Sequence, residues 1–195
     1  MHHDISLGFS DAERPRVAAL YWEAFAAKLR IVMGPPERAI AFLTKNMHPD
    51  FALVARDPAG RIAGLAGFKT SKGALTEGSL RSLAAHYGLL SVLWRAPLLA
   101  LVERELAPDV LLMDGICVDQ AARGTGLGTA LLDAVKDTAR TQGLTAVRLD
   151  VIDTNPRARA LYERQGFVPV GTQTMGPLTY IFGFASSTTM LCDLA

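Results

Sequence analysis

Residues Leu111 to Gly143 read LLMDGICVDQAARGTGLGTALLDAVKDTARTQG, and the fold of the whole chain turns on this stretch. An apolar run from Leu111 to Val118 stops at Asp119. It passes through the glycine-rich turn Arg123-Gly124-Thr125-Gly126-Leu127-Gly128 and continues with apolar residues at Leu127, Leu131, Leu132, Val135 and Ala139. The first run has the length and composition of a buried strand, and the second has the spacing of one helix face, so the segment reads strand, loop, helix. The first N–H groups of a helix lack partners inside it, and the aligned peptide dipoles place about half a positive charge there. Glycines at 124, 126 and 128 remove side chains that would hold a pyrophosphate away from those groups, and Arg123 adds a forked cation.

Three phosphate-binding patterns compete for this loop. A Walker loop requires G-x-x-x-x-G-K-[ST], and no lysine follows these glycines. A dinucleotide fingerprint requires G-x-G-x-x-G and an acidic residue about twenty positions on. The spacing here is G-x-G-x-G, and although Asp150 ends the next predicted strand, too little chain follows it for a doubly wound domain. The third pattern, [QR]-x-x-G-x-[GA], is met by Arg123, Gly126 and Gly128.

With that loop, and with Asn155, Leu161, Tyr162 and Gly166-Phe167 downstream in an N-x(6)-Y-x(3)-GF arrangement, the sequence resembles the GCN5-related N-acetyltransferase (GNAT) superfamily. The match is specific from about Leu111 to Val170 and holds only in outline over the first hundred residues. The resemblance implies an α/β fold of the acyl-CoA N-acyltransferase type, a mixed central sheet flanked by helices, with acetyl-CoA as co-substrate and no metal. It implies that Arg123, Gly124, Thr125, Gly126, Leu127, Gly128 and Thr129 receive the pyrophosphate. The backbone of Ile116, Cys117 and Val118 would hold the pantetheine arm as an added strand, where the central strand splays from the next. Asn155 would fix that arm, and Arg159 would approach the phosphate end of CoA or stand as a solvated helix charge.

Length and composition set the frame. The chain has 195 residues, half of them hydrophobic, enough for one sizeable core, so a single domain over residues 1–195 is expected. Twenty Lys and Arg against nineteen Asp and Glu leave no basic surplus for a nucleic acid. Cys117 and Cys192 lie in apolar runs without metal-site or disulfide spacing, which fits reduced thiols in a cytoplasmic protein. The polar N-terminus lacks a signal-peptide core, and no apolar run reaches the roughly 18 residues of a membrane helix. His2, His3 and Asp4 are read as a mobile terminus.

The rest of the chain falls into place around the central stretch. Ile5 to Phe9 reads as a strand, Ser10 to Met33 as an amphipathic helix capped at Ser10 or Asp11, and Glu37 to Asn46 as a second helix. In proteins of this resemblance the loop between these helices lines the acceptor side, which makes Met33, Gly34 and Pro35 contact candidates. Phe51 to Arg56 and Arg61 to Lys69 form a hairpin about Asp57-Pro58-Ala59-Gly60. An insert at about 70–109 follows, between the third and fourth strands. Leu80, Leu83, Tyr87, Leu90 and Trp94 mark one helix, and Pro97 begins another. Tyr87, Trp94 and their neighbours are expected to shape the acceptor pocket or a homodimer contact, or to add a core layer. Strands at Ala146–Ile152, 167–174 and 188–194 complete the sheet, with a helix from Asn155 to Gln165.

The chemistry follows from the thioester. A lysine-like amine is almost wholly protonated at pH 7, at a cost of roughly 4 kcal/mol that a base or a lowered pKa must offset. Asp114, on the central strand, is the candidate base, with a structural strand carboxylate as the alternative; His86, Glu103 and Glu105 are weaker substitutes. Tyr162 holds the family's position for the acid that protonates the leaving thiolate. An acetyl-Cys117 intermediate would need an activating histidine, and neither His48 nor His86 stands in a motif with Cys117, so direct transfer in a ternary complex is preferred. The acceptor is a small-molecule or peptide amine: polyamine, amino acid, aminoglycoside and peptide all stay open. Two other readings also stay open, a non-catalytic acyl-CoA-binding module and a transferase for a longer acyl-CoA.

Overall fold

A computed structural model of the protein describes residues 4–76, 79–102 and 106–194. In chain order the elements are β1 (Asp4–Leu7), α1 (Arg14–Met33), α2 (Pro36–Asn46), β2 (Ala52–Arg56), β3 (Ile62–Thr70), β4 (Gly73–Ala74), α3 (Leu80–Tyr87), α4 (Leu89–Val102), β5 (Val110–Val118), α5 (Leu127–Thr141), β6 (Ala146–Ile152), α6 (Pro156–Arg164), β7 (Val168–Thr174), α7 (Thr179–Phe182) and β8 (Ser186–Asp193). One mixed sheet runs β1-β2-β3-β5-β6-β8-β7, with the two-residue β4 paired to β3. The expected α/β architecture is therefore present.

Two apolar layers cover the sheet. On one face Val17, Leu20 and Tyr21 of α1 and Phe42 and Leu43 of α2 pack over Leu65 and Cys117. On the other, Leu127, Leu131, Leu132, Val135 and Ala139, the stripe predicted for α5, are all buried against Phe68, Leu111 and Val147. Between β7 and β8 the chain is not an open loop: Phe182 and Phe184 bury with Met175 against Val32 at the end of α1.

Some predicted boundaries move. Helix α1 begins at Arg14 with Pro15 in its first turn, and Ser10 does not cap it; Ser10 donates its N–H and hydroxyl to Glu13, which clamps Arg56 of β2. In the insert, Pro97 starts no helix. The break falls at Gly88, in the left-handed region at φ +88°, and α4 runs through Pro97. Pro97 and Leu93, the residue whose carbonyl loses its partner, are both exposed, so water can satisfy the carbonyl that proline leaves unbonded. The region expected as an insert between the third and fourth strands holds the two-residue β4 and then α3 and α4, which precede β5. Among the described residues no helix is long and apolar enough to cross a membrane.

Candidate active site

The central strand creates the site by leaving its neighbour. Strands β5 and β6 pair in parallel only from Val110 with Ala146 to Met113 with Leu149. Beyond that point β5 stays with β3 and β6 with β8, and a wedge opens in the sheet. At the same point β5 carries one residue too many: Phe68 faces Met113 and Gly67 faces Gly115, so Asp114 is the extra residue of a β-bulge. Bulges re-aim side chains. Here the bulge sends Asp114 into a cavity of about 810 Å³ under the insert.

The glycine bend follows the free end of β5 and leads into α5. Gly124 and Gly126 lie at φ +83° and +85°, a backbone that L side chains rarely adopt, and a Cβ on either would meet nothing within 4 Å. The loop face is thus open, and Gly126 delivers the chain into α5 with the amides of Leu127, Gly128 and Thr129 at its first turn. Thr125 Oγ1 donates to Ala122 O, and Arg123 Nε donates to Val118 O at 3.2 Å, folding Arg123 back on the end of β5. Asp119 accepts from the Ala121 amide and pairs with Arg16, and both hold its carboxyl below the usual range. Bare amides, an open face and one guanidinium suit a diphosphate. Asn155 caps α6, its Oδ1 accepting from the Ala158 amide at 3.1 Å, while Arg159 is exposed and ion-paired with Glu163 at 2.9 Å.

Electrostatics separate the two candidate proton carriers. Asp114 is half-buried as a residue, but its Oδ2 is fully buried without a hydrogen-bond partner. Burial pushes its carboxyl up to about 6, with Lys69 pulling the other way. Tyr162 is buried on α6 against Phe167, and burial, aided by the nearby Cys117 thiol, raises its phenol so that it stays protonated. Cys117 is 2% exposed and its thiol is also pushed up by burial, then by Glu23, the reverse of an activated nucleophile.

Besides Met33, already a contact candidate from the sequence, the cavity recruits residues whose spacing reads only as core or strand. Tyr21, Phe25, Leu29 and Met33 of α1 line one wall. Tyr21 is hydrogen-bonded to Thr76, and its phenol is raised by burial and then by Asp114. Lys69, Asp150 and Ser187 come from three different strands. The insert contributes Leu80, Leu83, Ala96, Leu99 and Ala100, whereas Tyr87 and Trp94 stand behind that lining, stacked on Arg95. Met33 reaches the cavity, and Gly34 and Pro35 are not among its lining residues. His86 contacts Arg38 O through Nε2 at 2.8 Å and does not line the cavity; Glu103 and Glu105 lie outside the described residues, as do His2 and His3.

Comparison with known proteins bears on this geometry. The family model described as "Acetyltransferase (GNAT) family" matches residues 15–167. A curated mycothiol acetyltransferase of Beutenbergia cavernae is 53% identical over 53 residues, 27% of this chain and 18% of that protein, so the chain spans under a fifth of that relative's length. A solved structure from Corynebacterium glutamicum, described as histone acetyltransferase HPA2 and related acetyltransferase, superposes with a TM-score of 0.66 at 23% identity, over 100% of this chain and 98% of that one. A GCN5-related N-acetyltransferase of Kribbella flavida gives 0.62 at 20% identity, over 98% of each chain. These two structures are alike in fold.

Proposed function

Because the chain belongs to the GNAT acetyltransferase family, we propose that it transfers the acetyl group of acetyl-CoA to a primary amine by direct attack within a ternary complex. The observation that carries this reading is the parting of β5 from β6 beyond Met113 and Leu149, with the bulged Asp114 where it begins and the open glycine bend following the free end of β5.

In this reading the amides of Leu127, Gly128 and Thr129, with Arg123, hold the diphosphate. The edge of Ile116, Cys117 and Val118 takes the pantetheine arm by main-chain hydrogen bonds, and Asn155 steadies it from the start of α6. With a carboxyl near 6, Asp114 is mostly ionised at pH 7 and takes the proton that the ammonium must lose. The amine nitrogen then attacks the thioester carbonyl, and a backbone N–H at the bulge faces the negative oxygen. The C–S bond breaks as the C–N bond forms, Tyr162 donates its proton to the departing sulfur, and the second proton that nitrogen sheds on becoming an amide restores the phenol by way of solvent. Cys117, neutral and buried, takes no part as a nucleophile.

A free-thiol assay with acetyl-CoA and a panel of primary amines tests this. The expected result is thiol release that depends on the amine, with the acetylated amine seen by mass spectrometry. Binding of CoA with no thiol release across the panel would instead favour a non-catalytic acyl-CoA-binding module.

A further inference from the structure

The family resemblance leaves the acceptor open, and the cavity narrows it. Resting on the acetyltransferase reading of the same site, we propose that the acceptor is a primary monoamine carried on an apolar body, an alkylamine or arylalkylamine rather than a polyamine, aminoglycoside or amino acid.

The walls are the first argument. Phe25 and Leu29 of α1, Leu83 of α3, Leu99 of α4, Ile152 of β6 and Phe184 surround the space, and Leu29, Leu99 and Ile152 are only partly covered by the protein itself. An apolar guest would complete that cover, and each buried methylene adds about 0.8 kcal/mol. Helices α3 and α4 supply Leu80, Leu83, Ala96, Leu99 and Ala100 to this lining.

The charges are the second. Two carboxylates reach the described lining, and they differ. Asp150 accepts a hydrogen bond from Thr189 and faces Arg148 at 3.6 Å, so it is already engaged. Asp114 presents a buried Oδ2 with no partner, where an ammonium group gains a charge-assisted hydrogen bond. With Asp150 engaged, a second cation finds no further unpartnered carboxylate oxygen in the described lining, which disfavours spermidine-like and aminoglycoside acceptors. A carboxylate next to the amine, as in an amino acid, would face Asp114 with like charge, offset in part by Lys69, and would be dehydrated against the apolar walls. The cavity thus sets one unpartnered carboxylate oxygen among walls that are largely apolar, with His48, Thr76, Ser79 and Ser187 among its other polar side chains.

Binding calorimetry on the full chain saturated with CoA tests this without turnover, using butylamine, hexylamine, 2-phenylethylamine, phenylalanine and spermidine. Hexylamine and 2-phenylethylamine are expected to bind at least tenfold more tightly than spermidine or phenylalanine. Hexylamine should exceed butylamine by about fourfold per added methylene. Asp114→Asn should weaken hexylamine at least tenfold, and Ala96→Phe, which fills the cavity from α4, should weaken 2-phenylethylamine by a similar factor while leaving CoA binding unchanged. Equal or tighter binding of spermidine or phenylalanine, or an affinity flat with chain length, overturns the inference. Tight hexylamine binding with no thiol release from acetyl-CoA would refute the transfer reaction alone and uphold the acceptor assignment.

Discussion

Gly115 and Phe25 share a space that admits no further carbon: a Cβ on Gly115 would overlap Cζ of the Phe25 ring and stand 2.9 Å from Cε1. The residue after the bulge is therefore glycine for packing and not for backbone freedom, since its φ is not among the positive ones. The ring beneath it is a wall of the cavity into which Asp114 points.

Gly115→Ala should therefore act on the acceptor through Phe25. The ring has to swing into the cavity, costing about 1–3 kcal/mol of stability. Thermal unfolding and steady-state kinetics check this: a lower Tm and a raised KM for the amine are expected, with the KM for acetyl-CoA within twofold. An acetyl-CoA KM that rises as much as the amine KM would contradict it.

Tyr162→Phe should leave binding intact and slow the reaction. Removing a positioned proton donor lowers kcat by on the order of 10²-fold. Calorimetry with CoA should return the wild-type affinity, because the ring that packs on Phe167 is retained. Unchanged kcat would remove Tyr162 from the mechanism.

Asp114 makes stability and activity move in opposite directions with pH. Its native carboxyl, near 6, lies above the ordinary 3.8, so the folded state holds that proton more tightly than the unfolded chain. The stabilising contribution is complete below about pH 4 and is lost as pH rises through 6. At pH 7, Asp114→Asn should be more stable than the native protein by up to about 3 kcal/mol, with the advantage gone at pH 4. Activity needs the carboxylate, so kcat/KM should rise through pH 6 and that limb should vanish in the variant. Melting curves and a pH–rate profile read the two effects separately.

At the bend, Gly126→Ala places a side chain where φ is +85°, at a cost of about 1–2 kcal/mol, although the added methyl meets nothing within 4 Å. The loop should relax away from its geometry and CoA should bind about tenfold more weakly. Gly171→Ala, also in open space but without a left-handed backbone, should bind CoA as the native protein does. Calorimetry on both variants makes the comparison.

Much of this architecture is legible in the amino-acid sequence, because its signals are local. Left-handed glycines, a helical stripe from Leu127 to Ala139 and a turn at Asp57-Pro58-Ala59-Gly60 each depend on residues within a few positions of one another. So the strand, bend and helix that suggest a diphosphate site could be read directly, as could the hairpin, where Asp57 Oδ1 accepts from the Ala59 and Arg61 amides. The insert was legible as helical, but not its break: the Pro97 rule assumes a buried carbonyl, and exposure removed the penalty. What the amino-acid order alone determined is therefore the set of elements and the loop between β5 and α5. Only tertiary structure decided that Tyr21, Phe25 and Leu29, spaced like any core stripe, face a void, since burial depends on what stands opposite. The same holds for Asp114, whose place in a bulge and whose raised carboxyl come from β3 pairing on one side and β6 departing on the other. No neighbour in sequence encodes either.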